Sequence, residues 1–510
     1  MRSRRLASTI AALLASGLVL AGCSSPSSPS TDPGTTGQSS VAADPAAAIE
    51  IGSLYEPGNL SNVDAGGQGV VEAFNGNVYE SLIKLNDDGS LSNLLAEDYQ
   101  VSDDGLTYTF TLRDGVTFHS GKALTSADVK ASFERVTAES SQAARKASYA
   151  VVDSVETPDE KTVVFTLSSR SISFPYLISY VWIVNPDLAD AKTEADGTGP
   201  YAFEEWRRGS TLTIARNDAY WGEAPKNAEV TFHYFTDASA LGNALLTDEI
   251  DLITSLQSPD SLTPFENNPD FQISEGTSTV KELLAFNDRV EPFNDAKVRR
   301  AIYSAVDREK LLDAIWAGRG TLIGSMVPPT DPWYEDLTSL NPYDPELSKT
   351  LLAEAGKADG FTFTLQTPNY DPHPQVAEFL KSELAKVGIT VEIKIITADE
   401  WYSTVFKERD FEATLQEHVN DRDVVWYANP DFYWGYDNAE VQKLVGEAEQ
   451  AETPEQQTEL LTQANTIIAT EAASNWLFLF PQIVVARSDV SGFPVNGLNS
   501  QFYVSGISKA

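Results

Sequence analysis

The densest run of chemically competent side chains is residues 417–430, Glu417-His-Val-Asn-Asp-Arg-Asp-Val-Val-Trp-Tyr-Ala-Asn-Pro430. Three carboxylates, a guanidinium and an imidazole precede an aromatic pair there, a mixture able to hold the ammonium and carboxylate of a peptide or to chelate a metal complex. The same residues would also make an ordinary surface loop with local Asp and Arg pairing. A lone histidine is more often hydrogen-bonded to protein than bound to a metal, so no metal ligand and no cofactor is assigned. Aromatic side chains add to the pattern. Tyr55, Tyr370, Trp401, Trp426, Tyr427, Tyr433, Trp434, Trp476 and Phe480 fall in or beside segments that read as loops or strand ends. Rigid flat side chains among a few charges suit a solute cleft, because aromatics bury large areas at low entropic cost while charges fix the ends of the ligand. Any one of them is as well explained by core packing. The candidate ligand contacts are Tyr55, Glu56, Asn287, Tyr370, Trp401, His418, Asp421, Arg422, Asp423, Trp426, Trp476 and Phe480.

Signatures of bond-making chemistry are scarce. The run Gly115-Val-Thr-Phe-His-Ser-Gly-Lys122 has five residues between its glycines instead of four, and Ala123 where a phosphate loop needs Ser or Thr. There is no Gly-x-Ser-x-Gly elbow and no His-Glu-x-x-His. His119, His233, His373 and His418 are the only histidines, which leaves few arrangements for nucleophilic or zinc chemistry. The expectation is a protein that binds without catalysis.

The amino terminus says where that binding occurs. Arg2, Arg4 and Arg5 precede a mostly apolar stretch over 6–20 that runs into Leu20-Ala-Gly-Cys23. The stretch is too short to span a bilayer, which takes about 20 residues. It reads instead as a lipoprotein export signal over 1–22, cleaved before a lipid-modified Cys23. Cys23 is the only cysteine, so no disulfide is available and the fold rests on its apolar core. Residues 23–45, rich in Ser, Pro, Thr and Gly, form a flexible tether. The formal charge is −38 overall, and −41 without the three arginines of 1–22. Such a surface repels nucleic acid and favours cationic or zwitterionic solutes at short range, besides serving solubility.

The body is too long for one core, so two or more lobes are expected. Residues 49–54 read as a strand and 69–79 as a helix. The alternation of Leu106, Tyr108, Phe110 and Leu112 makes a half-buried strand, with a second at 162–167. Between them Thr125-Ser-Ala-Asp128 is a capping box that starts a helix with Val129, Phe133 and Val136 on one face. Asn294-Asp295 caps what reads as one long helix through Val298, Ile302, Ala305, Leu312 and Ile315. Residues 361–367, 375–387 and 389–396 form a strand, helix, strand unit, whose crossover implies a parallel pair. Residues 476–481 and 483–486 read as two buried strands.

At this point several runs resemble one family, the family 5 extracellular solute-binding proteins of the peptide and nickel class. They are Val78-Tyr-Glu-Ser-Leu-Ile-Lys84, Leu94-Leu-Ala-Glu97, the stretch 102–121, Thr125-Ser-Ala-Asp-Val129, Gly197-Thr-Gly-Pro-Tyr201, Asn217-Asp-Ala-Tyr-Trp-Gly222, and Phe286-Asn-Asp-Arg-Val-Glu-Pro-Phe-Asn-Asp295 followed by Val298-Arg-Arg-Ala-Ile302. The resemblance implies an α/β, two-lobed periplasmic-binding-protein-like fold of class II with an additional small subdomain. Lobe one would gather 46–84, 187–280 and 482–510, the extra subdomain 85–186, and lobe two 281–481. Crossings near 282–286 and 480–483 would be the hinge. The implied role is a monomeric, lipid-anchored subunit that closes on oligopeptides or dipeptides and delivers them to the permease of an ABC importer. A chelated metal of the nickel type, another small solute, or a regulatory lipoprotein that does not import are the alternatives. Family peptide binders pair an aspartate with the peptide's amino group in a segment aligning loosely with 418–431. This chain offers Asp421-Arg-Asp423 and Asn429-Pro-Asp431 there, and nickel-type relatives place a histidine in the region, as His418 would.

Overall fold

The computed structural model describes residues 44–510 apart from 65, 144 and 257. The export signal, Cys23 and all but the last two residues of the tether lie outside the described residues. Among the described residues no helix is long and apolar enough to cross a membrane.

The strands of the two larger sheets, in chain order, are β1 (Ala48–Ser53), β2 (Ala96–Val101), β3 (Thr107–Leu112), β4 (Val152–Asp159), β5 (Thr162–Leu167), β6 (Tyr201–Arg207), β7 (Thr211–Arg216), β8 (Glu229–Tyr234), β9 (Leu252–Ile253), β10 (Phe271–Phe286), β11 (Phe361–Pro368), β12 (Ile389–Ile396), β13 (Ala413–His418) and β14 (Ser474–Arg487). Ten of them form one sheet in the order β12-β11-β13-β10-β14-β9-β1-β8-β7-β6, and β2-β3-β5-β4 form a smaller antiparallel one. The alternation read in β3 and β5 is observed: Tyr108, Phe110, Val163 and Phe165 point into the core of the smaller sheet, which Val129 and Phe133 of α1 (Ser126–Thr137) cover. Asp128 accepts the Thr125 backbone N–H at 2.9 Å and closes the capping box.

Two strands join the halves of the large sheet. In β10 and β14, residues 271–277 pair with 481–487 on one side, and 281–285 pair with 474–479 on the other. The ladder breaks between Thr277 and Lys281. Pro481 sits at this break with no N–H to donate. The Ser278 hydroxyl donates to the Phe480 carbonyl at 2.7 Å, and Ser278 bridges to Gly497 in place of β14. The two strands expected at 476–481 and 483–486 are therefore one, because the proline falls where the ladder is already interrupted.

The expected long helix is two, α2 (Ala296–Ala305) and α3 (Arg308–Trp316). Val306 is extended, and Asp307 starts a new helix by accepting the Lys310 N–H at 3.1 Å. The helix expected over 69–79 covers Gly67–Phe74, since the Asn77 side chain turns away to bond the Phe502 carbonyl and the Val504 N–H. The strand, helix, strand unit is present: β11 and β12 are parallel from Phe361↔Ile389 to Pro368↔Ile396, with α4 (His373–Ala385) between them in sequence.

Candidate functional site

The break in β10 and β14 opens onto a narrow cleft with about 70 Å³ of free space, with walls from both halves of the large sheet. Tyr55, Gln68, Glu72, Thr254 and Gln501 line one side, and Trp316, Glu417 and Phe480 the other. Tyr55 follows β1, so the parallel pairing of β1 with β8 and β9 points its loop at the break. Burial and the nearby Glu417 and Glu72 push its phenol up, keeping it neutral. Glu72 accepts the Ser53 and Thr254 hydroxyls at 2.6 Å each, and burial pushes its carboxyl up to about 7.

Strand register decides what faces the cleft. Lys281 pairs with His418 and Glu282 with Glu417 across β10 and β13, and successive side chains of a strand point to opposite faces. On one face Lys281, fully buried, reaches Asp423 at 3.5 Å, while His418 Nδ1 approaches the same carboxylate at 3.5 Å and its Nε2 lies 3.0 Å from the Tyr433 hydroxyl. Trp426 Nε1 donates to Asp423 at 3.2 Å. Burial disfavours the Asp423 charge, but Lys281, His418 and Arg145 outweigh it and hold the carboxyl below its ordinary range. On the other face Glu282 and Glu417 meet His373, the first residue of α4. Their donor atoms all lie within 4.8 Å of one another, with His373 Nε2 3.8 Å from Glu282. Burial pushes Glu282 well up, Glu417 up to about 7 and His373 down to about 4. The ring of Tyr370, itself exposed, meets His373 edge-on at 4.5 Å.

A second polar cluster lies at Asp421. Its Oδ1 accepts the Tyr176 hydroxyl at 2.5 Å and Asn499 Nδ2 at 2.8 Å, with the Tyr180 hydroxyl at 3.4 Å and Arg145 at 3.5 Å. Arg422 stacks its guanidinium over Tyr176 at 3.8 Å and its backbone N–H donates to Asp331. Arg145, Tyr176, Trp333, Arg422 and Trp426 also line a further cavity.

Of the twelve candidate contacts, Tyr55 and Phe480 line the cleft and Tyr370 stands over the Glu282, His373 and Glu417 cluster. Asp421 and Arg422 belong to the second cluster, with Trp426 at its edge. The rest are placed elsewhere. Glu56 is exposed and accepts Trp206 Nε1 and the Gly209 N–H. Asn287 is buried and ties its amide to the Arg409 and Phe411 carbonyls. Trp401 donates to Thr414 and packs on Tyr433, and Trp476 lies wholly inside the core beside Tyr427. His418 and Asp423 are engaged with Lys281 on the strand face away from His373. Glu282 and His373 were not singled out from sequence, nor were Gln68, Glu72, Thr254 and Gln501 of the cleft or Arg145, Tyr176 and Asn499 around Asp421. The hint at Glu282 was a pair of charges, Lys281 and Glu282, set between Val280 and the apolar run Leu283-Leu-Ala-Phe286.

The chain matches the model of the bacterial extracellular solute-binding proteins, family 5 (middle region), over residues 90–422. It is similar to the glutathione-binding protein GsiB of Salmonella paratyphi A, 28% identical over 89% of this chain and 94% of that one. Among solved structures it resembles AgaA of A. tumefaciens R10 bound to agropinic acid, with a TM-score of 0.73 and 26% identity over 90% of this chain and 97% of that one. The dipeptide-binding protein of Pseudoalteromonas sp. SM9913 bound to Met-Leu shares the fold, with a TM-score of 0.75 and 21% identity over 91% of this chain and all of that one. These are two-lobed binding proteins and not enzymes, as the absence of catalytic signatures led us to expect. The chain belongs to the family 5 bacterial extracellular solute-binding proteins.

Proposed function

We propose that this chain is the extracytoplasmic capture subunit of an ABC importer and takes a short peptide or a glutathione-like peptide between its lobes. The observation that carries the reading is a polar cleft at the two strands that join the halves, walled from both sides. A solute touching both walls stabilises the closed arrangement over the open one, and only differential affinity of that kind can shift such an equilibrium. Lobe one is 46–84, 187–280 and 482–510, the small subdomain 85–186, and lobe two 281–481. The hinge is the break at 277–281 and its partner residues 479–481. Tyr55, Tyr370 and Phe480 supply apolar area to the solute, and Gln68, Gln501 and Glu417 its polar contacts. Asp421 and Arg422 fasten the closed lobes. The name of the GsiB relative and the Met-Leu ligand of the structural neighbour support a peptide-like cargo. The signal at 1–22 and Cys23 support export and lipid anchoring.

Calorimetry of the full-length chain in detergent against reduced glutathione and a panel of dipeptides and tripeptides tests the substrate class, with native mass spectrometry of whatever copurifies. One-to-one binding of a peptide-like ligand released unchanged is expected. Failure of the whole panel together with a copurifying ligand that has no peptide bond overturns the reading.

A further inference from the structure

Glu282 and His373 form with Glu417 a group of which only Glu417 reaches the cleft, and nothing in the capture of a peptide requires the other two. Glu282 and Glu417 sit directly opposite each other on β10 and β13, where like charges destabilise a sheet. Glu282 and His373 are both wholly buried, and neither Oε1 and Oε2 of the one nor Nδ1 and Nε2 of the other has a hydrogen-bond partner. Four orphaned polar atoms in so small a volume are costly, since each forfeits its hydration without replacement. The opposite face of the same strands treats buried charge differently: the Lys281 ammonium faces the Asp423 carboxylate at 3.5 Å there.

We propose that Glu282, His373 and Glu417 bind one divalent transition-metal ion, with an open coordination position toward the cleft. One imidazole and two carboxylates are the nitrogen and oxygen donors that borderline dications such as Zn²⁺ take. Two carboxylates and one dication sum to zero, so the loaded site lets both facing glutamates ionise without repelling each other across the strands. Glu417 lines the cleft and gives the ion its way in. A position left open there is filled by water or by a carboxylate or amine of the captured solute. The ion arrives free or already chelated by the cargo, and the donor set on the protein is the same in both cases.

The inference stands apart from the identity of the cargo, because its probe is the metal. Untagged full-length protein in detergent, stripped with chelator, is titrated calorimetrically with Zn²⁺ alone and with Zn²⁺ presaturated with L-histidine, and its melting temperature is followed in parallel. Wild type is expected to take one equivalent and to melt higher with it. Glu282→Gln and His373→Gln are expected to lose affinity by at least about 100-fold, more than the loss of a supporting hydrogen bond to a ligand causes. Both variants remove charge or basicity at nearly constant shape, and the unchanged melting temperature expected of them without metal confirms that they fold. Uptake only in the presence of histidine, lost in both variants, supports the site with the ion as part of the cargo. No uptake in either arm, or equal uptake by wild type and both variants, overturns it.

Discussion

Replacing Asp421 by asparagine keeps the shape of the side chain and removes its charge from a point where distant segments meet. Arg145, Tyr176 and Tyr180 come from around the smaller sheet, Asn499 from the C-terminal segment, and Asp421 from the loop after β13. Stripping one partner from a buried charge pair costs about 3–5 kcal/mol. Asparagine still offers an acceptor, so the bonds from Tyr176 and Asn499 survive as neutral ones at about half their strength. The Arg145 side chain keeps 20% of its surface in water, which softens the loss. Together these place the cost at about 2–3 kcal/mol, or roughly 30- to 150-fold in the equilibrium that holds the loop against its partners. The Asp421 N–H donates to Asn499 Oδ1 at 3.0 Å, so its exchange with deuterated solvent reads that equilibrium directly. Exchange at 421 and 422 should quicken by that factor while amides of β11 stay unchanged. Apparent solute affinity should fall, since a less populated closed form taxes binding. Exchange within twofold of wild type, with unchanged affinity, would refute the view that this carboxylate fastens the lobes.

Asp423→Ala should act first on stability: it leaves Lys281 buried without its carboxylate, a cost of about 3–5 kcal/mol in denaturant unfolding. A stability within about 1 kcal/mol of wild type would contradict the placement of Lys281. The protein should melt at higher temperature at pH 5 than at pH 8. Burial pushes Glu72 and Glu80 up to about 7, so their share of stability, about 3 kcal/mol each, is complete below the unfolded value near 4.3 and is lost as pH rises to 7. Glu72→Gln, whose amide can still meet the Ser53 and Thr254 hydroxyls, should flatten that slope, and an unaltered slope would show that Glu72 does not titrate in this range. Cys23→Ser should move the protein from the membrane to the soluble fraction, and persistence in the detergent phase would count against a lipid anchor.

What was legible in the sequence is what short spacing encodes. The capping box at Thr125, the alternation along β3 and β5, and the strand, helix, strand unit ending at Ile396 each depend on neighbours within a few residues or one crossover. The break between α2 and α3 was hidden because apolar spacing continues through it, from Ala305 to Leu312, while the extended Val306 and the capping Asp307 have ordinary side chains. Trp401 and Trp476 read like cleft aromatics because a loop-flanking tryptophan carries no mark of which way its ring turns. The Glu282, His373 and Glu417 group was out of reach for another reason. It exists only once β10 and β13 are paired in one particular register and α4 begins beside them, and a slip of one residue would put His418 where Glu417 is.

That register also explains why neighbouring carboxylates in one loop have separate tasks. From β13 onward the chain delivers Glu417 to one face and His418 to the other, and the loop that follows curls back over the His418 side. Asp423 is thereby drawn onto Lys281, where Trp426 and His418 complete its partners, and its charge is consumed in holding the loop to the strand. With the loop pinned at Asp423, Asp421 projects the other way, toward Tyr176 and Asn499. Loss of Asp423 should therefore also loosen Asp421, whereas loss of Asp421 should leave the Lys281 pair intact. A double mutant should then cost less than the sum of the two single changes, as expected for residues that share one support.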